Sequence, residues 1–231
     1  MNRIVPAARL QLVNWPSIVG WPWGILASSL LINVALFWAL REQPDVEPTT
    51  GGLASIYIVM LVACITSIAQ DFPFAMGLGI TRRTFYLANV AQFTGQALVY
   101  AALLYLFALI EDATGGFGVN LTFFGMPQLF TDNPLVIYLS YVMPFLLLGF
   151  IGIFITIVYK RWGVNGMFTL MLASLFGFGG SAVLITWQGW WIAIWNWFAD
   201  QPSAMLLLGW PALLTLPLAA ASYLVIRRAL P

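Results

Sequence analysis

Six apolar stretches recur between residues 18 and 226, and the centre of each is free of Asp, Glu, Lys and Arg. About 20 such residues in a helix cross the hydrocarbon of a bilayer. The stretches cover 18–40, 52–70, 88–110, 135–159, 164–187 and 204–226, each long enough to span with some tilt. Lipid cannot satisfy exposed backbone N–H and C=O groups, so only helices or closed barrels cross it, and the short alternating segments of a barrel are absent. Only 7% of residues are charged, against roughly 25% in soluble domains, and no polar block between the stretches is long enough to fold alone. The expectation is one all-α integral membrane domain over residues 1–231 with six transmembrane helices.

Charge sets the orientation. Eight of the nine basic residues (Arg3, Arg9, Arg82, Arg83, Lys160, Arg161, Arg227, Arg228) fall on one side of six spans, and seven of the eight acids (Glu42, Asp45, Glu47, Glu111, Asp112, Asp132, Asp200) on the other. Arg41 and Asp71 are the exceptions. The positive-inside rule then puts both termini in the cytoplasm, in a plasma or inner cell membrane. The net charge of +1 gives no reason to expect a nucleic-acid partner.

The flanks add detail. Residues 3–17 carry Arg and Trp beside a few apolar side chains, which suits a short amphipathic segment in the cytoplasmic interface. The first span is too long for a signal h-region and lacks a small-residue cleavage site, so it is expected to stay. Residues 188–201 hold four tryptophans, as expected of an outer aromatic belt or a half-inserted helix. The glycine-containing stretch from Glu111 to Asn133 reads as an irregular outer loop, with Glu111 and Asp112 as solvated, topology-setting acids. Cys64 is the sole cysteine; it forms no disulfide within the chain and reads as a small buried hydrophobe.

Little catalytic chemistry is within reach. There is no histidine and one cysteine, so the usual zinc, haem, Cys-His and Ser-His arrangements cannot be assembled, and no metal site is expected. A P-loop ends in Gly-Lys-Ser/Thr, whereas the only lysine lies in Tyr159-Lys160-Arg161. The chain is not expected to be an enzyme or to use ATP by itself.

One connection is more elaborate than a reversal of the chain requires. Between the second and third spans, Asp71 to Asn89 reads DFPFAMGLGITRRTFYLAN. Asp71-Phe72-Pro73 has the form of an N-cap and early-turn proline, so a short helix is expected to start there. Phe74, Ala75, Met76 and Leu78 give it an apolar surface, Gly77 and Gly79 end it, and Thr81 caps the next helix. Arg82 and Arg83 then stand against the positive end of a helix dipole, at about 0.3–1 kcal/mol each. They mark the cytoplasmic side and touch anionic headgroups, or pair with acids on a partner, where the following Phe85 and Tyr86 would complete an Arg-aromatic hot spot.

Gly79-Ile80-Thr81-Arg82-Arg83-Thr84-Phe85-Tyr86-Leu87-Ala88 resembles the cytoplasmic segment of ABC-2 type transporter permeases, and the lead-in Phe72-Pro73-Phe74-Ala75-Met76-Gly77-Leu78 is similar to small permeases of that group. Where the family often ends this motif in a small residue and Lys, this chain has Ala88-Asn89. The resemblance implies that the segment is a coupling helix docking into a separate ATP-binding subunit, which holds the ATP and Mg2+. Asp71, Phe72, Phe74, Met76, Leu78, Thr81, Arg82, Arg83, Phe85 and Tyr86 would meet that subunit. It further implies a pair of permeases, as a homodimer or with a related chain, that exports its cargo.

The spans lack central charges, which favours a hydrophobic or amphipathic cargo over small ions. Asn89, Gln92, Gln96 and Tyr100 recur at helical spacing and form one polar stripe; Ser29 and Asn33 form a shorter one. These line a substrate path or supply interhelical hydrogen bonds. Two other functions fit the same features: a six-span substrate-binding component or independent carrier, and a non-transporting scaffold, sensor or immunity protein.

Overall fold

The computed structural model describes residues 15–41 and 48–226. Among these residues six α-helices follow in order: α1 (Trp15–Leu40), α2 (Ala54–Gly77), α3 (Arg82–Ala113), α4 (Pro134–Gln188), α5 (Trp191–Ala199) and α6 (Trp210–Ile226), the last preceded by a π-helical turn, Met205–Gly209. Among the described residues the only β pairing is one bridge, Thr49 with Thr122. Among the described residues, five helical segments are long and apolar enough to cross a membrane: α1 from Val19, α2, α3, α4 and Met205–Ile226. The chain is therefore an all-helical, multi-pass membrane protein by length and composition. Residues 3–14 of the expected interfacial segment, and Arg3, Arg9, Glu42, Asp45, Glu47, Arg227 and Arg228, lie outside the described residues; the segment's end, from Trp15, belongs to α1.

The fourth and fifth expected spans form a single 55-residue element, α4, interrupted at Gly163. There φ is 62° and ψ is −150°, a region essentially closed to side-chain-bearing residues. A Cβ at Gly166 would collide with the side chain of Trp162, on the other side of the break. Asn133 caps the start of α4, its Oδ1 accepting from the N–H groups of Leu135 (3.0 Å) and Val136 (3.4 Å), and Pro134 occupies the first turn, where no N–H is needed. α4 is the hub of the fold: it packs against α2, α3 and α6, its buried residues all lie between Ile137 and Val158, and α2 and α3 meet mainly through side chains such as Phe72 and Phe85. By contrast, residues 171–181 are exposed throughout.

Small residues bring the hub close to its neighbours. Gly149 lies directly beneath the Phe93 ring, and a Cβ at Gly152 would sit 3.0 Å from the Leu61 carbonyl oxygen. Thr156 Oγ1 donates to the Gly152 carbonyl (2.9 Å) and reaches that of Ile65 (3.4 Å). Where lipid is as apolar as the core, such close backbone approach and interhelical hydrogen bonding replace hydrophobic collapse as the source of association.

Two buried clusters result. The larger gathers Leu26, Tyr57, Tyr100, Phe124, Tyr141 and Phe145 with their neighbours. The smaller lies under the α2–α3 connection and joins Ile68, Phe72, Phe85, Tyr86, Ile153 and Ile226.

Residues 111–125 are more ordered than an irregular outer loop would be. Glu111 is buried, not solvated: Oε2 accepts from the N–H groups of Phe123 (3.0 Å) and Phe124 (2.8 Å), and Oε1 from that of Gly125 (2.9 Å). Tyr141 donates to the Phe124 carbonyl (2.6 Å), and the Thr122 N–H donates to the Pro48 carbonyl (2.7 Å). Asp112 is exposed, as expected of a solvated acid. The tryptophan-rich segment folds as α5, beginning just past Gly189, and buries none of its residues in the chain.

Candidate functional site

The α2–α3 connection departs from the expected helix, break and helix start. No new helix begins at Asp71; α2 continues through Pro73 to Gly77. Asp71 is part of that helix and accepts a 2.7 Å hydrogen bond from Ser67 Oγ one turn earlier. Proline removes one helical hydrogen bond, a loss that membrane helices tolerate by local readjustment. The chain then breaks at Gly79, with φ at 73°. Thr81 caps α3 as expected, its Oγ1 accepting from the Thr84 N–H at 3.2 Å, so Arg82 and Arg83 stand in the first turn.

Burial divides the expected docking residues into two groups. Phe74 and Leu78 are 59% and 57% exposed, whereas Phe72, Phe85 and Tyr86 are only 1%, 4% and 6% exposed. Thr81 and Arg83 are exposed, with Asp71, Met76 and Arg82 half-buried. The Phe72 and Phe85 rings meet edge to face at 5.4 Å, and Tyr86 donates to the Ala219 carbonyl of α6 at 2.8 Å. Phe72, Phe85 and Tyr86 are thus the floor of the connection, not its contact surface. Direct docking through these three is corrected: edge-to-face packing and burial against α4 and α6 satisfy them inside the chain.

The polar stripe of α3 meets a second wall that was not evident from the sequence. A cavity of about 60 Å³ lies between α2 and α3, above Ile153 of α4. Asn89, Gln92, Phe93 and Gln96 line it from α3; Met60, Ala63, Cys64, Ser67 and Ile68 line it from α2. The α2 residues follow helical spacing, but only the tertiary register brings them opposite the glutamines. Gln96 Nε2 contacts Met60 Sδ across the cavity at 3.6 Å, and Asn89 Nδ2 donates to the Phe85 carbonyl at 3.0 Å. Gln92 Oε1 is enclosed and accepts no hydrogen bond from the described residues.

The other expected path residues are placed elsewhere. Tyr100 is buried in the aromatic cluster, 5.3 Å from Trp23 and 6.0 Å from Phe145. Asn33 accepts from Thr50 Oγ1 (2.7 Å) and donates to the Ser29 carbonyl (2.8 Å), while Ser29 Oγ reaches the Gly52 carbonyl (3.4 Å). Their hydrogen bonds hold the segment leading into α2 against α1, so Ser29, Asn33 and Tyr100 do not line the cavity. An open depression of about 360 Å³ beside the 111–125 segment is polar, but the oxygens of its buried acid, Glu111, already face three backbone N–H groups. No family model, curated protein or solved structure matches this chain.

Proposed function

We propose that this chain is the membrane subunit of an ATP-driven exporter of the ABC-2 type, moving a hydrophobic or amphipathic cargo and driven by a separate ATP-binding subunit docked on the α2–α3 connection. The observation that carries the reading is the construction of that connection. An exposed rim of Phe74, Leu78, Thr81 and Arg83 rests on buried Phe72, Phe85 and Tyr86, which touch α4 and α6. A push on the rim is therefore passed to the bundle by packed aromatic rings.

Six crossings with cytoplasmic ends belong to the same reading. A straight 55-residue helix is about 80 Å long, far more than a bilayer accommodates. The break at Gly163 lets residues 134–162 and 164–188 cross separately, with Lys160 and Arg161 at the cytoplasmic turn. A second permease copy covers exposed surface of the second segment, and α5 lies in the outer interface with its tryptophans.

Copurification from the native membrane tests the reading. A P-loop ATPase should accompany the wild-type chain, and Arg82→Glu with Arg83→Glu should reduce its recovery about tenfold or more, as loss of a charged hot spot would. Undiminished recovery in the double variant removes the arginines from the interface. Absence of an ATPase from both preparations overturns the transporter reading in favour of an independent carrier or a scaffold.

A further inference from the structure

The smaller buried cluster gathers four helical segments: Phe72 near the end of α2, Phe85 and Tyr86 at the start of α3, Ile153 and Ile157 in the first part of α4, and Ile226 closing α6. Adjacent bases stand just beyond it on two of them, Arg82 and Arg83 opening α3 and Lys160 and Arg161 before the break in α4. A third pair, Arg227-Arg228, follows Ile226 in sequence. Asp71 is the one described acid within these segment ends; Glu111 and Asp112 lie at the far end of α3, Asp132 precedes α4 and Asp200 follows α5. Like charges gathered in this way repel one another unless an anion joins them.

The pair in α4 is the better built to hold that anion. Lys160 and Arg161 are half-buried, and among the described residues no carboxylate pairs with either. The Arg161 guanidinium lies over the Trp162 ring, its carbon 4.3 Å from the centroid. Stacking fixes the planar group and leaves the N–H donors at its edge for a ligand, a fork that suits a phosphate. A Cβ built at Gly163 would meet nothing within 4 Å, so the break leaves room beside the bases. Around the pair, Tyr159, Trp162 and Val164 are 47%, 49% and 58% exposed. A free phosphate or a nucleic-acid strand would leave these apolar faces in water. A phospholipid covers them with its glycerol and first methylenes, the depth at which interfacial aromatic residues sit. We propose that the break in α4 binds an anionic phospholipid, its phosphate between Lys160 and Arg161 and its glycerol against Tyr159 and Trp162. A zwitterionic head would bring its own cation to the bases, so the net negative charge matters. The site is complete within one chain and needs no ATPase, so it stands or falls separately from the docking of a motor.

Thermal unfolding of the purified chain alone, in a neutral detergent, tests the proposal. Dioctanoyl phosphatidylglycerol should raise the unfolding temperature saturably, and dioctanoyl phosphatidylcholine or glycerol phosphate at the same concentrations should not. Lys160→Gln with Arg161→Gln should weaken the apparent affinity for phosphatidylglycerol about twenty-five-fold, roughly fivefold for each base. Arg41 is also stacked on a tryptophan, 4.7 Å over Trp38, but follows α1 on the Glu111 side of the bundle. Arg41→Gln should leave the affinity within about twofold, since a distant exposed charge is screened by salt. No response to phosphatidylglycerol, an equal response to phosphatidylcholine, undiminished affinity in the double variant, or an equal loss in Arg41→Gln would each overturn the proposal. A matching response to glycerol phosphate would overturn it in favour of a bare anion site. Should the double variant fail to fold, Lys160→Gln and Arg161→Gln are read singly, and the comparison of the three ligands on the wild type still decides.

Discussion

Glu111 organises more of the structure around it than its neighbour in sequence. Its two oxygens accept three backbone N–H groups from residues 123–125, whereas Asp112 is exposed. Glu111→Gln should destabilise the chain by roughly 1.5–3 kcal/mol, because an amide nitrogen would face an N–H donor. Asp112→Asn should stay within about 0.5 kcal/mol. Thermal unfolding in detergent gives both values. The contrast was not legible in the sequence: two adjacent acids at a span end look alike, and the donors that distinguish them lie 12 to 14 residues further on. The aromatic residues of the α2–α3 connection were misleading for a related reason. Phe72, Phe85 and Tyr86 have the chemistry of a hot spot and the location of a core. Phe85→Ala should accordingly cost about 3–5 kcal/mol in folding, and, under the proposed docking, Phe74→Ala should weaken ATPase recovery while the unfolding temperature stays near that of the wild type.

At the level of elements, length and periodicity carried most of the information. The expected spans match the observed helices closely at 18–40, and α2 and α3 extend past the expected 52–70 and 88–110 toward the connection between them. The α2 extension was hidden by Asp71 and Pro73, which form a standard helix-start pair in water; here helix continuation prevails because Ser67 supports Asp71 from within. The Asn89, Gln92 and Gln96 stripe could be read from spacing alone, but Tyr100, one turn on, joins the aromatic cluster. Helix packing gives two tests. Gly149→Ala places a methyl group in the Phe93 ring and should destabilise by about 1–3 kcal/mol, measured as lost monodispersity on heating. Gly163→Ala forces a side chain into a glycine-only backbone region, at about 1–3 kcal/mol. The folded fraction recovered after expression should fall accordingly.

For the whole molecule, the distribution of burial is uneven. The buried residues of α4 all lie between Ile137 and Val158, yet 171–181 are exposed throughout. Under the proposed pairing of permeases, a second copy over that surface should be detected by Phe176→Cys in a Cys64→Ala background, where oxidation of intact membranes yields a disulfide-linked dimer. A purely monomeric product would indicate lipid at that position instead.

The hydrogen bond from Tyr86 to Ala219 also bears on the order of assembly. The two residues lie 133 positions apart, so the packing under the α2–α3 connection closes only once α6 is in place. Until then the rim and its aromatic floor lack the support of α6. Under the proposed docking, the ATPase meets a firm rim only where α6 has docked, so recruitment of the motor follows assembly of the bundle.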